Sequence, residues 1–184
     1  RDYETQQLAN AALFSQKHRL DIAQYCRNHN IVMASHDDAT ESHALESYEL
    51  GMKIAEFPTT EEAAKFSTMK NMKVLMGAPN VVRGGSHSGN VSAGLLAKQN
   101  LLHILSSDYY PSSLLHAAFL LTREDVGYDL AKAVRCVSKN PAEAVDLHDR
   151  GEIALGKNAD LLQVTMHGDQ PLIQAVWKNG RRVV

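Results

Sequence analysis

Four short apolar runs, each followed by turn-forming or titratable residues and separated from the next by a helix-length segment, constrain the fold of this chain more than any other feature. Ile31 to Ala34 opens onto Ser35-His36-Asp37-Asp38-Ala39-Thr40, and Ile54-Ala55-Glu56-Phe57 onto Pro58. A third strand reads from Lys73 to Asn80, and Leu102 to Leu105 runs into Ser106-Ser107-Asp108-Tyr109-Tyr110-Pro111. Continuous apolar strands joined by crossover helices imply an α/β fold with a parallel sheet covered on both faces. A doubly wound sheet and a (β/α)8 barrel both satisfy this. The barrel is favoured because each strand carries its chemistry at its C-terminal edge, where barrel enzymes build their sites. Four strands amount to half of such a barrel.

The intervening segments read as helices. Leu8, Ala12, Phe14, His18, Ile22, Tyr25 and Cys26 form a helical stripe that Asn28-His29-Asn30 breaks. Thr40 and Thr60 are N-caps with glutamates in the first turn; Gly51 closes the first of these helices and the second runs to about Met72. The glycine-rich stretch Arg83 to Asn90 reads as a loop leading into a helix over Val91 to Gln99. The stripe Leu114, Leu115, Ala118, Phe119 and Leu121 reads as a helix packed on the sheet. After Ala131 to Val137 the texture changes: Asn140-Pro141-Ala142-Glu143 opens a short helix, and Gly151-Glu152-Ile153, Ala159 to Val164 and Gln174 to Val184 read as strands of a small β unit with Trp177 in its core.

Composition excludes several function classes. With 184 residues, 44% hydrophobic, 22% charged and a net charge of −2, the chain offers no basic face for a nucleic acid. It has no apolar run long enough for a membrane span, and its first residues do not resemble a signal peptide. Cys26 and Cys136 have no second cysteine at a metal-ligand spacing and read as reduced thiols, which suits the cytoplasm.

Several segments carry a family resemblance. Lys139-Asn140-Pro141-Ala142, Asp149-Arg150-Gly151-Glu152-Ile153 and Gly156-Lys157-Asn158-Ala159-Asp160-Leu161 resemble the ending of amidohydrolase-superfamily enzymes, in which the chain leaves a (β/α)8 barrel and joins a small β-sandwich. The resemblance implies residues 1–148 as the C-terminal half of the barrel and 149–184 as strands of the sandwich. Ala34 to Thr40, Ala55 to Thr60, Met76 to Asn90 and Leu105 to Pro111 narrow it to the branch that hydrolyses a phosphorylated ribosyl phosphonate in phosphonate metabolism. The implied reaction is metal-dependent cleavage of a 5-triphosphate to a 5-phosphate and pyrophosphate.

Hydrolysis of a phosphoanhydride needs an activated water, charge neutralisation on the phosphates and a proton acceptor, and a divalent metal supplies the first two. The resemblance assigns His36 and Asp108 as ligands of that metal (zinc, with manganese or iron as alternatives) and Asp108 as the proton acceptor. Asp37 and Asp38 would orient His36 or balance charge. Arg83, His87, Ser88 and Asn90, in the loop before the next helix, would hold the polyphosphate, with that helix pointing its N-terminus at the anion. Glu56 would face the barrel mouth or sit in a structural ion pair. The remaining histidines fit no ligand pattern.

The chain departs from the superfamily pattern in lacking candidate positions for a paired first-strand motif, a bridging lysine or glutamate on the fourth strand and a histidine on the fifth. It is therefore expected to carry part of a site, to need the other half of the barrel as partner, and to form a homo-oligomer. Alternatives are another amidohydrolase, acting on a cyclic amide, an N-acyl group or an amino-substituted ring, or a non-catalytic subunit.

Overall fold

The computed structural model describes residues 2–86 and 88–184, the side chain of Asp2 excepted. His87, one of the expected phosphate-binding residues, lies outside the described residues.

The α/β alternation is present. A parallel sheet in the order β1-β2-β3-β4 is built from β1 (Ala34–His36), β2 (Ile54–Glu56), β3 (Lys73–Gly77) and β4 (Ile104–Ser106). Between its strands run α2 (Glu41–Glu49), α3 (Glu61–Met69), and the pair α4 (Ala78–Arg83) and α5 (Ala93–Lys98). A long helix, α1 (Asp2–Asn28), precedes the sheet; α6 (Ser113–Leu120), α7 (Leu130–Arg135) and α8 (Lys139–Ala144) follow it. A separate antiparallel sheet holds β5 (Leu161–His167), β6 (Gln170–Lys178) and β7 (Arg181–Arg182).

Local signals explain the helix starts. The Thr40 and Thr60 hydroxyls accept from His43 N–H and Ala63 N–H, and Asp129 from Lys132 N–H. Each satisfies a donor that the first helical turn leaves open. Thr60 also donates to Ala39 O at 2.8 Å, tying the end of β1 to that of β2.

The strand limits differ from the sequence expectation by two or three residues. Ile31 to Met33 precede β1, and the ladder with β2 begins at Ala34↔Ile54. Likewise β4 starts at Ile104, paired with Leu75. Register with the neighbour, not the apolar run itself, sets where a parallel strand begins. The third strand stops at Gly77: Ala78 to Asn80 turn into α4, with Pro79 in its first turn, where its missing N–H costs no bond. Arg83 thus sits on the last turn of a helix capped by left-handed Gly84 (φ 79°), not in a loop. Gly151 to Ile153 is not a strand either, because Gly151 (φ 90°) turns the chain there.

One face of the parallel sheet is packed. The row Ser35, Ala55, Val74 is buried, and Leu96 and Leu121, both fully buried, belong to the same core. Each such leucine contributes roughly 2 kcal/mol of transfer free energy. In contrast α1 buries little besides Ala23; Leu8, Leu13 and Ile22 are exposed. In the second sheet Ala175 is buried but Trp177 is only half-buried. Cys26 and Cys136 are free thiols, and burial raises that of Cys136 to about 11. Among the described residues no helix is long and apolar enough to cross a membrane.

Candidate active site

Three of the four parallel strands end on a residue in left-handed backbone: Asp37 (φ 61°) after β1, Phe57 (φ 52°) after β2 and Asp108 (φ 50°) two residues after β4. Aspartate tolerates this region, but a phenylalanine there is unusual, and such strain costs about 1–3 kcal/mol per residue. The ladder survives it. Asp37 N–H donates to Glu56 O at 3.1 Å and Phe57 N–H to Leu75 O at 2.9 Å.

Register decides what shares a face. His36 pairs with Glu56, which pairs with Leu75, so these three lie on the face opposite the buried Ser35 row. His36 Nδ1 lies 3.0 Å from Asp37 Oδ2, and its ring meets the Phe57 ring edge-on at 5.3 Å. With Nδ1 held by a carboxylate, Nε2 is the nitrogen left for a ligand. Asp38 is placed differently. It is buried, its Oδ1 accepts from Ser47 Oγ of α2 at 3.3 Å, and its Oδ2 has no partner among the described residues. Asp37, not Asp38, meets the His36 ring.

A cavity of about 120 Å³ opens at these strand ends, lined by Asp37, Phe57, Gly77, Asn80, Arg83, Ser86, Asn90 and Asp108 among others. The fold therefore brings together Asp37, Asp108, Arg83 and Asn90 from four separate segments. His36 adjoins the cavity through Asp37 and Phe57. Ser88 is exposed and does not line it; its N–H donates to Ser86 Oγ at 3.1 Å, and Ser86 lines the wall instead. Arg83 packs its guanidinium over the Tyr109 ring at 5.9 Å. Asp108 is exposed, and its Oδ2 lies 3.0 Å from where a β-carbon on Gly77 would stand, so the glycine makes room for the carboxylate.

Asn80 was not among the expected residues. Its Oδ1 accepts from Ala93 N–H at 2.9 Å and its Nδ2 donates to Val91 O at 3.5 Å, while Val91 N–H donates to Thr59 O at 2.9 Å. The segment from 84 to 92 is thus pinned at its far end. A polar side chain directly after Gly77-Ala78-Pro79 was the available signal. Helix α5 begins at Ala93, two residues later than expected, and two of its first-turn donors are engaged: Ala93 N–H by Asn80 Oδ1 and Leu95 N–H by the Ser92 hydroxyl.

His103, at the opposite end of β4, is structural. Its Nδ1 accepts from Val74 N–H at 3.1 Å, and burial, followed by the Lys73 and Lys132 charges, lowers its pKa to about 4. Asn140 Nδ2 donates to His103 O at 2.8 Å, linking α8 to the sheet.

The donor types at the strand ends, an imidazole with one nitrogen free and a carboxylate, suit a divalent cation. Among the described residues, however, no three His, Cys, Asp or Glu side chains come together as a metal-holding group. The fit is that of a partial donor set.

A parallel α/β sheet with its polar residues at the C-terminal strand ends defines a class, and the whole chain, residues 1–184, matches the amidohydrolase family; it belongs to that family. It is 55% identical over 182 residues to the alpha-D-ribose 1-methylphosphonate 5-triphosphate diphosphatase of Escherichia coli (strain K12), covering 98% of this chain and 48% of that protein. An adenine deaminase of Desulfatibacillum aliphaticivorans is 33% identical over 134 residues, or 68% of this chain and 22% of the relative. The fold is similar to that of an amidohydrolase from Thermotoga maritima MSB8 (TM-score 0.65, 23% identity, 84% of this chain and 44% of that one). It is also similar to that of the A. niger ochratoxinase (TM-score 0.65, 16% identity, 92% and 45%). The chain spans about half the length of the diphosphatase.

Proposed function

We propose that this chain forms the C-terminal part of a metal-dependent hydrolase that cleaves alpha-D-ribose 1-methylphosphonate 5-triphosphate to the 5-phosphate and pyrophosphate. The observation that carries the proposal is the cavity joining Asp108, Asp37, Arg83 and Asn90 in a chain 55% identical to a diphosphatase. In this reading residues 1–148 are the later half of a (β/α)8 barrel and 149–184 strands of a small β-sandwich. Counted back from β4 as the last barrel strand, β1 is the fifth, so His36 takes the fifth-strand place for which the sequence offered no candidate. The exposed Leu8, Leu13 and Ile22 of α1 and the edge position of β1 in the parallel sheet support completion by residues outside this chain and association into an oligomer.

A divalent cation (zinc, or else manganese or iron) would be held by His36 and Asp108 together with donors outside this chain, and would supply Lewis acidity toward water and the phosphoryl oxygens. The chain's own residues do the rest. Asp108 accepts the proton of the water that attacks the α-phosphorus. Asp37 fixes the His36 ring through Nδ1, and Phe57 limits its tilt. Arg83 and Asn90, with Ser86 beside them and Ser88 at the rim, hold the pyrophosphate as it leaves; Arg83 supplies charge in a fork that matches phosphate oxygens.

The test uses the full-length protein. Release of pyrophosphate from the ribosyl triphosphate, with metal found by elemental analysis, is the expected outcome. Deamination of adenine in place of that release would shift the assignment to the deaminase chemistry of the second relative. Absence of bound metal and of both activities would leave a non-catalytic subunit.

A further inference from the structure

We propose that a second cavity, next to the strand-end site and sharing Arg83 with it, is an oligophosphate subsite that receives the terminal phosphate of the substrate and then takes over the pyrophosphate from the strand-end residues as it departs. This rests on the proposed diphosphatase reading and extends it to residues outside the strand ends. The cavity has a volume of about 620 Å³ and lies between α4, α5 and the segment after α6. It is lined by apolar side chains, Val81 among them, and by Arg83, Ser92, Lys98, Arg123 and Asp125. Among the described residues Arg83, Lys98 and Arg123 line it with Asp125 as the carboxylate.

That carboxylate does not neutralise the pocket. Asp125 Oδ2 lies 3.4 Å from Lys98 Nζ, and the two side chains are 70% and 47% exposed, a kind of pair worth little in water and open to exchange for a multivalent anion. Arg83 lines both cavities, and its guanidinium lies over the Tyr109 ring at 5.9 Å. A chain of phosphates with one end beside Asp108 would thus continue past Arg83 toward Arg123 and Lys98. A multiply charged anion gains most from such a row of cations, because each adds to the potential at the next phosphate. Orthophosphate, with a single centre, cannot span it.

The experiment is calorimetric titration of the full-length protein with inorganic pyrophosphate and, separately, with orthophosphate. Arg123→Glu should weaken pyrophosphate binding at least tenfold while leaving orthophosphate binding unchanged, and should raise the KM for the triphosphate more than it lowers kcat. Arg123→Gln, a milder change at an exposed position, should weaken pyrophosphate binding in the same direction and guards against misfolding of the charge-reversed variant. Equal pyrophosphate affinity in wild type and Arg123→Glu, or in wild type and Arg123→Gln if only the latter folds, overturns the subsite. The two readings separate cleanly. If the wild type hydrolyses no triphosphate yet pyrophosphate binding still depends on Arg123, the diphosphatase reading fails and the subsite stands; hydrolysis with Arg123-independent pyrophosphate binding sinks the subsite alone.

Discussion

In the segment that joins α8 to β5, carboxylates and cations are matched within the chain. Glu152 lies between Lys139, with which it also hydrogen-bonds, and Lys157 at 2.8 Å. Asp149 accepts from Arg150 Nε at 2.8 Å and from Asn158 Nδ2 at 2.7 Å, and Asp160 takes Lys178 at 2.6 Å and Asn179 N–H at 2.8 Å. These partners hold the Glu152 and Asp149 carboxyls down to about 2. The strand ends of the parallel sheet are built the opposite way. Three backbones there are left-handed at non-glycine residues, Asp108 is exposed without a hydrogen-bond or ion-pair partner among the described residues, and Asp38 Oδ2 is buried without one. Both regions announced themselves in the sequence as motifs. The difference teaches that a motif whose charges close on one another serves the scaffold, whereas one that leaves polar groups open and backbone strained is held ready for something outside the chain.

The largest effect that can break this contrast is chemical. Asp108→Asn in the full-length protein should lower turnover by about 10² or more with an unchanged melting temperature, since asparagine also accepts left-handed backbone. Near-normal turnover would remove the proton-acceptor role.

Next in size is a purely structural change. A β-carbon at Gly151 would stand 2.8 Å from Lys139 Cα and 2.9 Å from Ser138 O, at a φ of 90° that side chains avoid. Gly151→Ala should cost about 2–4 kcal/mol in denaturant unfolding while the folded fraction keeps its kcat. Loss of kcat in the folded fraction would blur the division between scaffold and site.

Gly77→Ala joins the two. Its β-carbon would press on Asp108 Oδ2 at 3.0 Å, so turnover should fall about tenfold through displaced geometry, with only a small change in stability. An equal loss of stability and turnover would place Gly77 with the scaffold.

The smallest effect concerns acid. His103 has a folded pKa of about 4, below its ordinary 6.5, so the folded state binds fewer protons between those values and stability falls as pH drops from 6.5 toward 4. Glu152, lowered from 4.5 to about 2, loses its contribution over that lower range. His103→Gln should flatten the first limb and Glu152→Gln the second, read from denaturant midpoints between pH 7 and 2. A single unaltered limb in both variants would show that neither group carries the acid sensitivity.

The alternation of strand and helix, the caps Thr40 and Thr60, the turn at Gly51 and the place of Asp108 after the last parallel strand were legible in the residues alone. They follow from local rules: apolar runs must be buried, a first helical turn needs an acceptor, and a glycine tolerates positive φ. The strand limits were not legible, because a parallel ladder starts where its neighbour offers a partner, as Ala34 does only opposite Ile54. Helix α4 escaped because Ala78-Pro79-Asn80 extends an apolar strand as readily as it opens a helix, and packing against α6 chose the helix.

The sequence by itself determined the class of fold and the kinds of side chain at each strand end, since both depend on neighbours within a few residues. Only the tertiary structure decided that Asp37 rather than Asp38 meets His36, that Glu56 shares its face, and that Arg83 stands between two cavities. Those outcomes depend on the left-handed turn at Asp37, on the register of β1 with β2, and on where α4 ends. Each is set by contacts between segments far apart in the chain, and no local pattern of residues encodes them.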